Sequence, residues 1–395
     1  MYSNSSWESV DEMAQLIQIL GESPPQSAPA GRRFYQPELD GLRFYAFLGV
    51  FVYHTLPSQA LFYQRLHLPL PGLWAAIAKS GASGVDLFFA LSAYLITSLL
   101  LRERQETGDI SLRMFYLRRI LRIWPLYFAV LALGVVLAHS MPEQRLPWYY
   151  VAGYLLFVGN WISAVFGHTQ SICSPLWTVS IEEQFYLVWP ALMKMLERRG
   201  MIIAGILTFL LATLSQAGIV RAGLSGGYIY YGSASRCDSL ALGILMALFA
   251  DRLPRLSHSR RWLLVGAGLS SWIAASAWLV DQPGGVNMRM VLGRTVVALA
   301  SCAILYGSLS SRSRLLRGRW VVQLGKRSYG LYMLHLTGIL IVQSLLRPVW
   351  GWQLLATKGL GFAMTVILAF ASYRWVESPF LRLKEHFAAV LSRPV

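Results

Sequence analysis

Charge is scarce in this chain: only 14% of its 395 residues are Asp, Glu, Lys or Arg, whereas 55% are hydrophobic and the mean hydropathy is positive. So little polar surface excludes an ordinary soluble globule and points to a polytopic membrane protein. Acidic residues are scarcer still, 19 against 35 Lys and Arg. The net charge of +16 would suit nucleic acid. However, the cations lie in short clusters between apolar runs rather than along one amphipathic face, which is a topology pattern and argues against a nucleic-acid partner. Three cysteines, Cys173, Cys237 and Cys302, show no motif spacing, so neither a metal site nor a disulfide framework is expected. They read as free thiols, with a Cys173 to Cys237 contact left open. The first thirty residues hold no Lys or Arg but do hold Glu8, Asp11, Glu12 and Glu22. They lack the basic start of a secretory signal peptide and are expected to stay in the cytoplasm. Glycine-rich phosphate loops are also missing, which excludes a nucleoside-triphosphate machine.

What the chain does contain is a series of apolar stretches. A tail over residues 1–36, with a short surface helix or a disordered run at "WESVDEMAQLIQIL" and a Pro-rich connection, leads into a membrane domain over 37–382 and a C-terminal tail over 383–395. Eleven candidate spans begin near residues 41, 83, 120, 148, 176, 201, 232, 262, 289, 328 and 354. The basic loops "RERQETGDISLRMFYLRR", "KMLERR", "DRLPRLSHSRR" and "SRSRLLRGRW", with Arg382, Lys384 and Arg393 of the C-terminal tail, mark the cytoplasmic side. Between Arg122 and Lys194 three crossings would put one basic end on the wrong face. The segment 148–166, "WYYVAGYLLFVGNWISAVF", is rich in Trp and Tyr and carries an internal Gly-Asn, so it is read as interfacial or re-entrant. The fold class is therefore an all-α integral membrane bundle of about ten spans plus that segment, with both termini inside.

Ionisable groups within spans are costly and mark function by default. His54 lies 14 residues beyond Asp40, about 21 Å from the inner edge at 1.5 Å per residue. Asp86 and Glu182 come out at about 22 Å and roughly 18 Å by the same rule, so a His, an Asp and a Glu are expected to share one layer. Each has a plainer reading: His54 as a structural histidine, Asp86 as a helix cap. Glu182 and Glu183 are adjacent on one helix and point apart, so at least one faces the interior. In "YLRRILRIWPLY", Arg119 and Arg122 share a helix face with Arg118 close by, and Pro125 is expected to kink the helix. The cluster is either a positive-inside anchor or a phosphate site, since the guanidinium fork suits phosphate oxygens such as those of coenzyme A.

Taken in order, "ELDGLRFYAFLGVFVYH", "GVDLFFALSAYLITSLLL", "FYLRRILRIWPLY", "LWTVSIEEQFYLVWP", "LGKRSYGLYMLHL" and "YRWVESPF" resemble the membrane acyltransferase-3 family, which includes bacterial surface-sugar O-acetyltransferases. The resemblance covers roughly residues 37 to 382. It implies that His54 is the catalytic histidine, that Arg119 and Arg122 are the paired arginines, and that Asp86 is the acidic residue before the paired phenylalanines. Glu182 and His335 match further polar positions. Ser92, Tyr94, Trp177, Ser180, Glu183 and Tyr186, within the same motifs, are candidates to line an acceptor cavity together with His335. Phe44, Tyr45 and Ala93 depart from the family pattern without removing a chemical group, and the appended hydrolase-like domain of some relatives is not expected here.

The implied reaction takes an acyl group, acetyl by the resemblance, from cytoplasmic acyl-CoA to a hydroxyl of a glycan or lipid-linked sugar. His54 acts as general base, and Asp86 or Glu182 orients its ring. A two-step route through an acyl-enzyme stays open. No metal and no permanently bound cofactor are expected, and the partners are membrane lipid, acyl-CoA and the acceptor. Two alternatives keep the same buried charges: a transporter or flippase of a lipid-linked sugar, and acyl transfer to a small lipid or antibiotic.

Overall fold

A computed structural model describes residues 35–279, 286–309, 311–346, 352–385 and 387. All but the last two residues of the tail over 1–36, with the surface helix expected within it, and most of the tail over 383–395 lie outside the described residues. All regular elements among the described residues are helical.

Helix α1 (Pro37–Thr55) starts with proline in its first turn and carries Glu38 and Asp40 there, where carboxylates meet the positive end of the helix dipole. Short helices α2 (Ala60–Arg65) and α3 (Pro71–Ser80) and a 3-10 turn lead into α4 (Gly84–Thr107). Gly108 ends α4 with φ of 83°, a left-handed conformation that glycine adopts without a Cβ clash. Helix α5 (Leu112–Ser140) is capped by the Ser111 side chain and continues through Pro125 as one 29-residue element. Next come α6 (Trp148–Leu155), α7 (Gly159–Phe166), α8 (Leu176–Met195) and α9 (Arg198–Arg221). The chain continues as α10 (Gly226–Tyr231), α11 (Ser233–Phe249), α12 (His258–Trp278) and α13 (Met288–Ser308). It closes with α14 (Arg314–Arg317), α15 (Arg319–Lys326), α16 (Ser328–Leu345), α17 (Trp352–Ser372), one π-helical turn and α18 (Ser378–Glu385).

Among the described residues, six helical runs are long and apolar enough to cross a membrane by length and composition: Pro71–Thr107, Leu112–Ser140, Arg198–Arg221, Met288–Ser308, Ser328–Leu345 and Trp352–Lys384. The expected count of about ten is not reached on that measure. Helix α1 holds Glu38, Asp40 and Arg43, and α8 holds Glu182, Glu183 and Lys194, and neither is among the six.

Segment 148–166 is a hairpin. Its helices α6 and α7 have eight residues each, about 12 Å and far short of a bilayer. They reverse at Phe157, whose φ of 54° is unusual for an aromatic side chain. The two ends meet: the rings of Tyr149 and Phe166 lie 4.8 Å apart, Tyr150 donates to the Gly167 carbonyl at 2.5 Å, and Thr169 donates to the Arg145 carbonyl at 2.6 Å. Entry and exit therefore share one level, as a re-entrant segment requires.

Two apolar cores flank α1 and α4. Phe47, Phe51, Phe89 and Ile96 belong to one, with Ile123, Trp189 and Leu331 from α5, α8 and α16. Leu42, Ala46, Leu87 and Leu91 belong to the other, with Met246, Trp272 and Val297 from α11, α12 and α13. Helix α1 is held unusually close: a Cβ at Gly325 would overlap the Asp40 carbonyl, and one at Gly81 would overlap the Gly49 carbonyl. Backbone contact of this kind fixes the height of α1 at both ends. The C-terminal end of α8 is clasped by Arg104, which donates to the Met193, Lys194 and Leu196 carbonyls, where a cation also meets the negative end of the helix dipole.

Candidate active site

Helix α1 passes two cavities in succession. The first surrounds its starting end and encloses about 130 Å³. Gln36, Asp40 and Arg43 from α1 and its approach line it, together with Ser92 of α4, Arg119 and Arg122 of α5, Glu182 and Tyr186 of α8, and Tyr329 and Tyr332 of α16. Arg119 and Arg122 face this space together because they are three positions apart on α5. The Arg119 guanidinium lies against the rings of Phe115 and Tyr186, at 5.2 and 5.5 Å, and its buried Nε has no hydrogen-bond partner. Ser92 donates to Glu182 at 2.7 Å. Glu183 points elsewhere, accepting from the Trp124 indole at 3.4 Å, so the adjacent pair diverges as a helix demands.

The second cavity lies at the other end of α1 and is larger, about 630 Å³. Tyr53, His54 and Ser58 line it, with His168 from the end of the hairpin, Trp177 of α8, Tyr230 and Tyr231 of α10, and Asn287 and Met290 beside α13. His54 is exposed to this space while sitting within a shell of aromatic and imidazole groups. Its ring centroid is 5.1 Å from those of both Tyr53 and His335.

Val85 and Tyr332 line both cavities and therefore form the partition between them. Tyr332 is buried, accepts a hydrogen bond from Thr178 at 3.0 Å and packs edge-on against Phe88.

Asp86 belongs to neither lining. Arg294 grips it with two bonds, at 2.5 and 3.2 Å, Ser239 donates at 3.2 Å, and Arg236 approaches to 3.3 Å. With Asp238, these form a buried quartet of two cations and two anions, none more than 4% exposed. Arg236 is enclosed by the rings of Phe89, Trp177 and Tyr230. The expectation that Asp86 orients His54 is corrected: its oxygens are committed to arginines from α11 and α13.

The expected single layer of His54, Asp86 and Glu182 is corrected too. Glu182 bonds Ser92, which lies six residues and about 9 Å past Asp86 along α4, so the carboxylate opens on the first cavity. Counting residues from span ends assumes that every helix starts at one plane, and these do not.

The remaining expected residues divide between the two sites and the scaffold. Ser92 and Tyr186 line the first cavity and Trp177 the second. His335 is fully buried behind His54. Tyr94 packs in the second core, and Ser180 donates back to the Leu176 carbonyl, so neither reaches a cavity. Arg118, expected with the donor-binding pair, bonds Glu103 and the Phe387 carbonyl and ties the C-terminal end to α5 instead. Sequence reading missed Arg43, His168, Thr178 and Tyr332. Arg43 was legible only as one more cation at the inner edge of a span. All three cysteines are free, and no cluster among the described residues could hold a metal ion.

The family model described as an acyltransferase domain, of the acyltransferase-3 type, matches residues 36–374. The chain is 28% identical over 375 residues to the peptidoglycan O-acetyltransferase OatA of Listeria monocytogenes, covering 88% of this chain and 56% of that protein. It is 30% identical over 375 residues to YrhL of Bacillus subtilis, provisionally named a peptidoglycan O-acetyltransferase, covering 87% and 55% respectively. The chain thus spans a little over half the length of these curated relatives. No solved structure matches it.

Proposed function

Since the chain belongs to the acyltransferase-3 family, we propose that it moves an acyl group from acyl-CoA in the first cavity to a hydroxyl of a glycan or lipid-linked sugar in the second. The names of its relatives favour acetyl as the group and peptidoglycan as the glycan. The observation that carries this reading is α1 itself, which presents Arg43 to one cavity and His54 to the other with Tyr332 between them. Arg43 and His54 are eleven residues apart, about 16 Å of helix. A pantetheine arm has the chain length of roughly four extended residues, about 15 Å, so a nucleotide held at the arginines delivers its thioester to the histidine.

The first cavity is too small for a nucleotide, which therefore stays at its mouth while the arm enters. Arg43, Arg119 and Arg122 supply guanidinium forks for phosphate oxygens there. The second cavity falls in the ordinary size range of ligand sites, and its aromatic wall offers faces to the apolar side of a sugar ring. His54 takes the proton of the acceptor hydroxyl as its oxygen attacks the thioester carbonyl. A C–O bond forms, the C–S bond breaks, and the leaving thiolate recovers the proton from the His54 imidazolium. Tyr332 must swing aside for the thioester to pass. No resident cofactor enters this scheme. The charge of the basic loops favours an orientation in which the first cavity faces the cytoplasm from a bacterial inner membrane, with both termini on that side.

The test is purified full-length protein in liposomes with acetyl-CoA labelled in the acetyl group and peptidoglycan glycan oligomers as acceptor. Release of CoA that depends on acceptor, with label moving to the oligomer, is expected. Label crossing the membrane while still attached to its carrier, without CoA release, would replace the enzyme by a transporter.

A further inference from the structure

His54 has no carboxylate among its contacts in the described residues. Asp86 is gripped by Arg294, and Glu182 lies in the other cavity on Ser92. A second imidazole stands where the acid of a hydrolase dyad would: His335, fully buried, with its ring centroid 5.1 Å from that of His54. Nδ1 of His335 is 2.6 Å from the Tyr332 carbonyl. A carbonyl only accepts, so Nδ1 carries the hydrogen, and in a neutral ring Nε2 is then a bare acceptor. That Nε2 is buried and has no partner. A buried polar atom left without a hydrogen bond is costly, so it calls for a ligand or a neighbour that moves.

We propose that His335 is the positioning residue for His54, its Nε2 accepting an N–H···N hydrogen bond that holds the His54 ring in one tautomer. The separation fits. Two imidazoles joined in line by a bond of about 2.9 Å, each nitrogen about 1.1 Å from its ring centre, have centroids about 5 Å apart. His54 opens on the cavity and turns about its last torsion to make this bond, whereas His335 is fixed by the Tyr332 carbonyl and by Phe47, whose ring meets it edge-on at 6.3 Å. The bond commits one His54 nitrogen as N–H and leaves the other bare toward the acceptor hydroxyl. The proton taken from that hydroxyl goes to the free nitrogen and then to the CoA thiolate, and His335 keeps its own proton throughout. The same carbonyl ties this support to Tyr332, the residue that must move between the cavities.

The proposal rests on the reading of His54 as general base, and two substitutions in the full-length protein separate it from a packing role. His335→Asn keeps a donor for the Tyr332 carbonyl but stops short of the Nε2 position. His335→Gln gives up that donor and places an amide oxygen near Nε2. A positioning role predicts kcat at least tenfold higher for Gln than for Asn, with KM for acetyl-CoA unchanged within about twofold in both. Asn equal to or better than Gln would reduce His335 to a packing residue. A spectrum of the wild-type protein with ¹⁵N-labelled histidine covers the case in which both variants misfold. A through-bond nitrogen–nitrogen coupling between the two rings is expected, and its absence, with His54 populating both tautomers, overturns the proposal. The coupling is read without turnover. If it is present in a protein that transfers no acyl group, the functional reading fails and the pairing stands.

Discussion

At the scale of single residues, exposure separates chemistry from packing. His54 faces an open cavity, so truncating it removes little buried contact. His54→Ala is therefore expected to express and bind CoA normally while losing 10²-fold to 10⁴-fold in transfer, the range of a general base. His54→Gln should be equally inactive, since an amide cannot take the proton; near-normal turnover in either variant would remove His54 from the reaction. For Arg119 and Arg122 the shape of the group matters as well as its charge. The double Lys variant keeps the positive end of α5 but loses the fork, so it should insert normally and bind CoA more weakly by about 1 to 3 kcal/mol at fixed ionic strength. Unchanged affinity would make the pair a topology anchor. His54, Arg119, Arg122 and Glu182 were all legible in the sequence as ionisable groups in or beside apolar runs. The partner of Asp86 was not, because Arg294 lies 208 positions away and nothing local announces it. Arg236, Asp238 and Arg294 obeyed the same intramembrane rule and were passed over.

Among the elements, the hairpin of α6 and α7 was readable from its aromatic content and internal Gly-Asn. The number of spans was not, since α1 and α8 trade apolar residues for the charges they carry. The meeting of the hairpin ends gives a direct test. With the three native cysteines replaced by serine, an impermeant thiol reagent should label Arg145→Cys and Gln170→Cys from the same face of sealed vesicles, both positions being exposed. Labelling from opposite faces would turn the segment into a crossing and restore an odd number of spans between the basic loops.

The whole molecule is fastened by the quartet around Asp86, which joins α4, α11 and α13 across the bundle. Asp86→Asn removes one charge from a neutral group of four and strands Arg294 and Arg236 in a dry interior. Such uncompensated charge costs about 3 to 5 kcal/mol. Thermal unfolding in detergent should show a lowered midpoint, with CoA affinity of the folded fraction unchanged; a wild-type midpoint would mean that water reaches the quartet.

Tyr332 raises a different matter for the membrane. On the proposed orientation, the cell's electrochemical gradient falls across the thin layer that this side chain closes, worth about 2.3 kcal/mol per elementary charge at 100 mV. On the proposed function, a chain that passes an acyl group must then avoid becoming a conduit for protons, and the Tyr332 hydroxyl held by Thr178 would be the plug. Vesicles carrying Tyr332→Gly are expected to dissipate an imposed pH difference faster than vesicles carrying the wild-type chain, and equal decay would place the seal elsewhere in the bundle. On the proposed function, acyl transfer would thus be limited by how seldom the plug can open without draining the membrane.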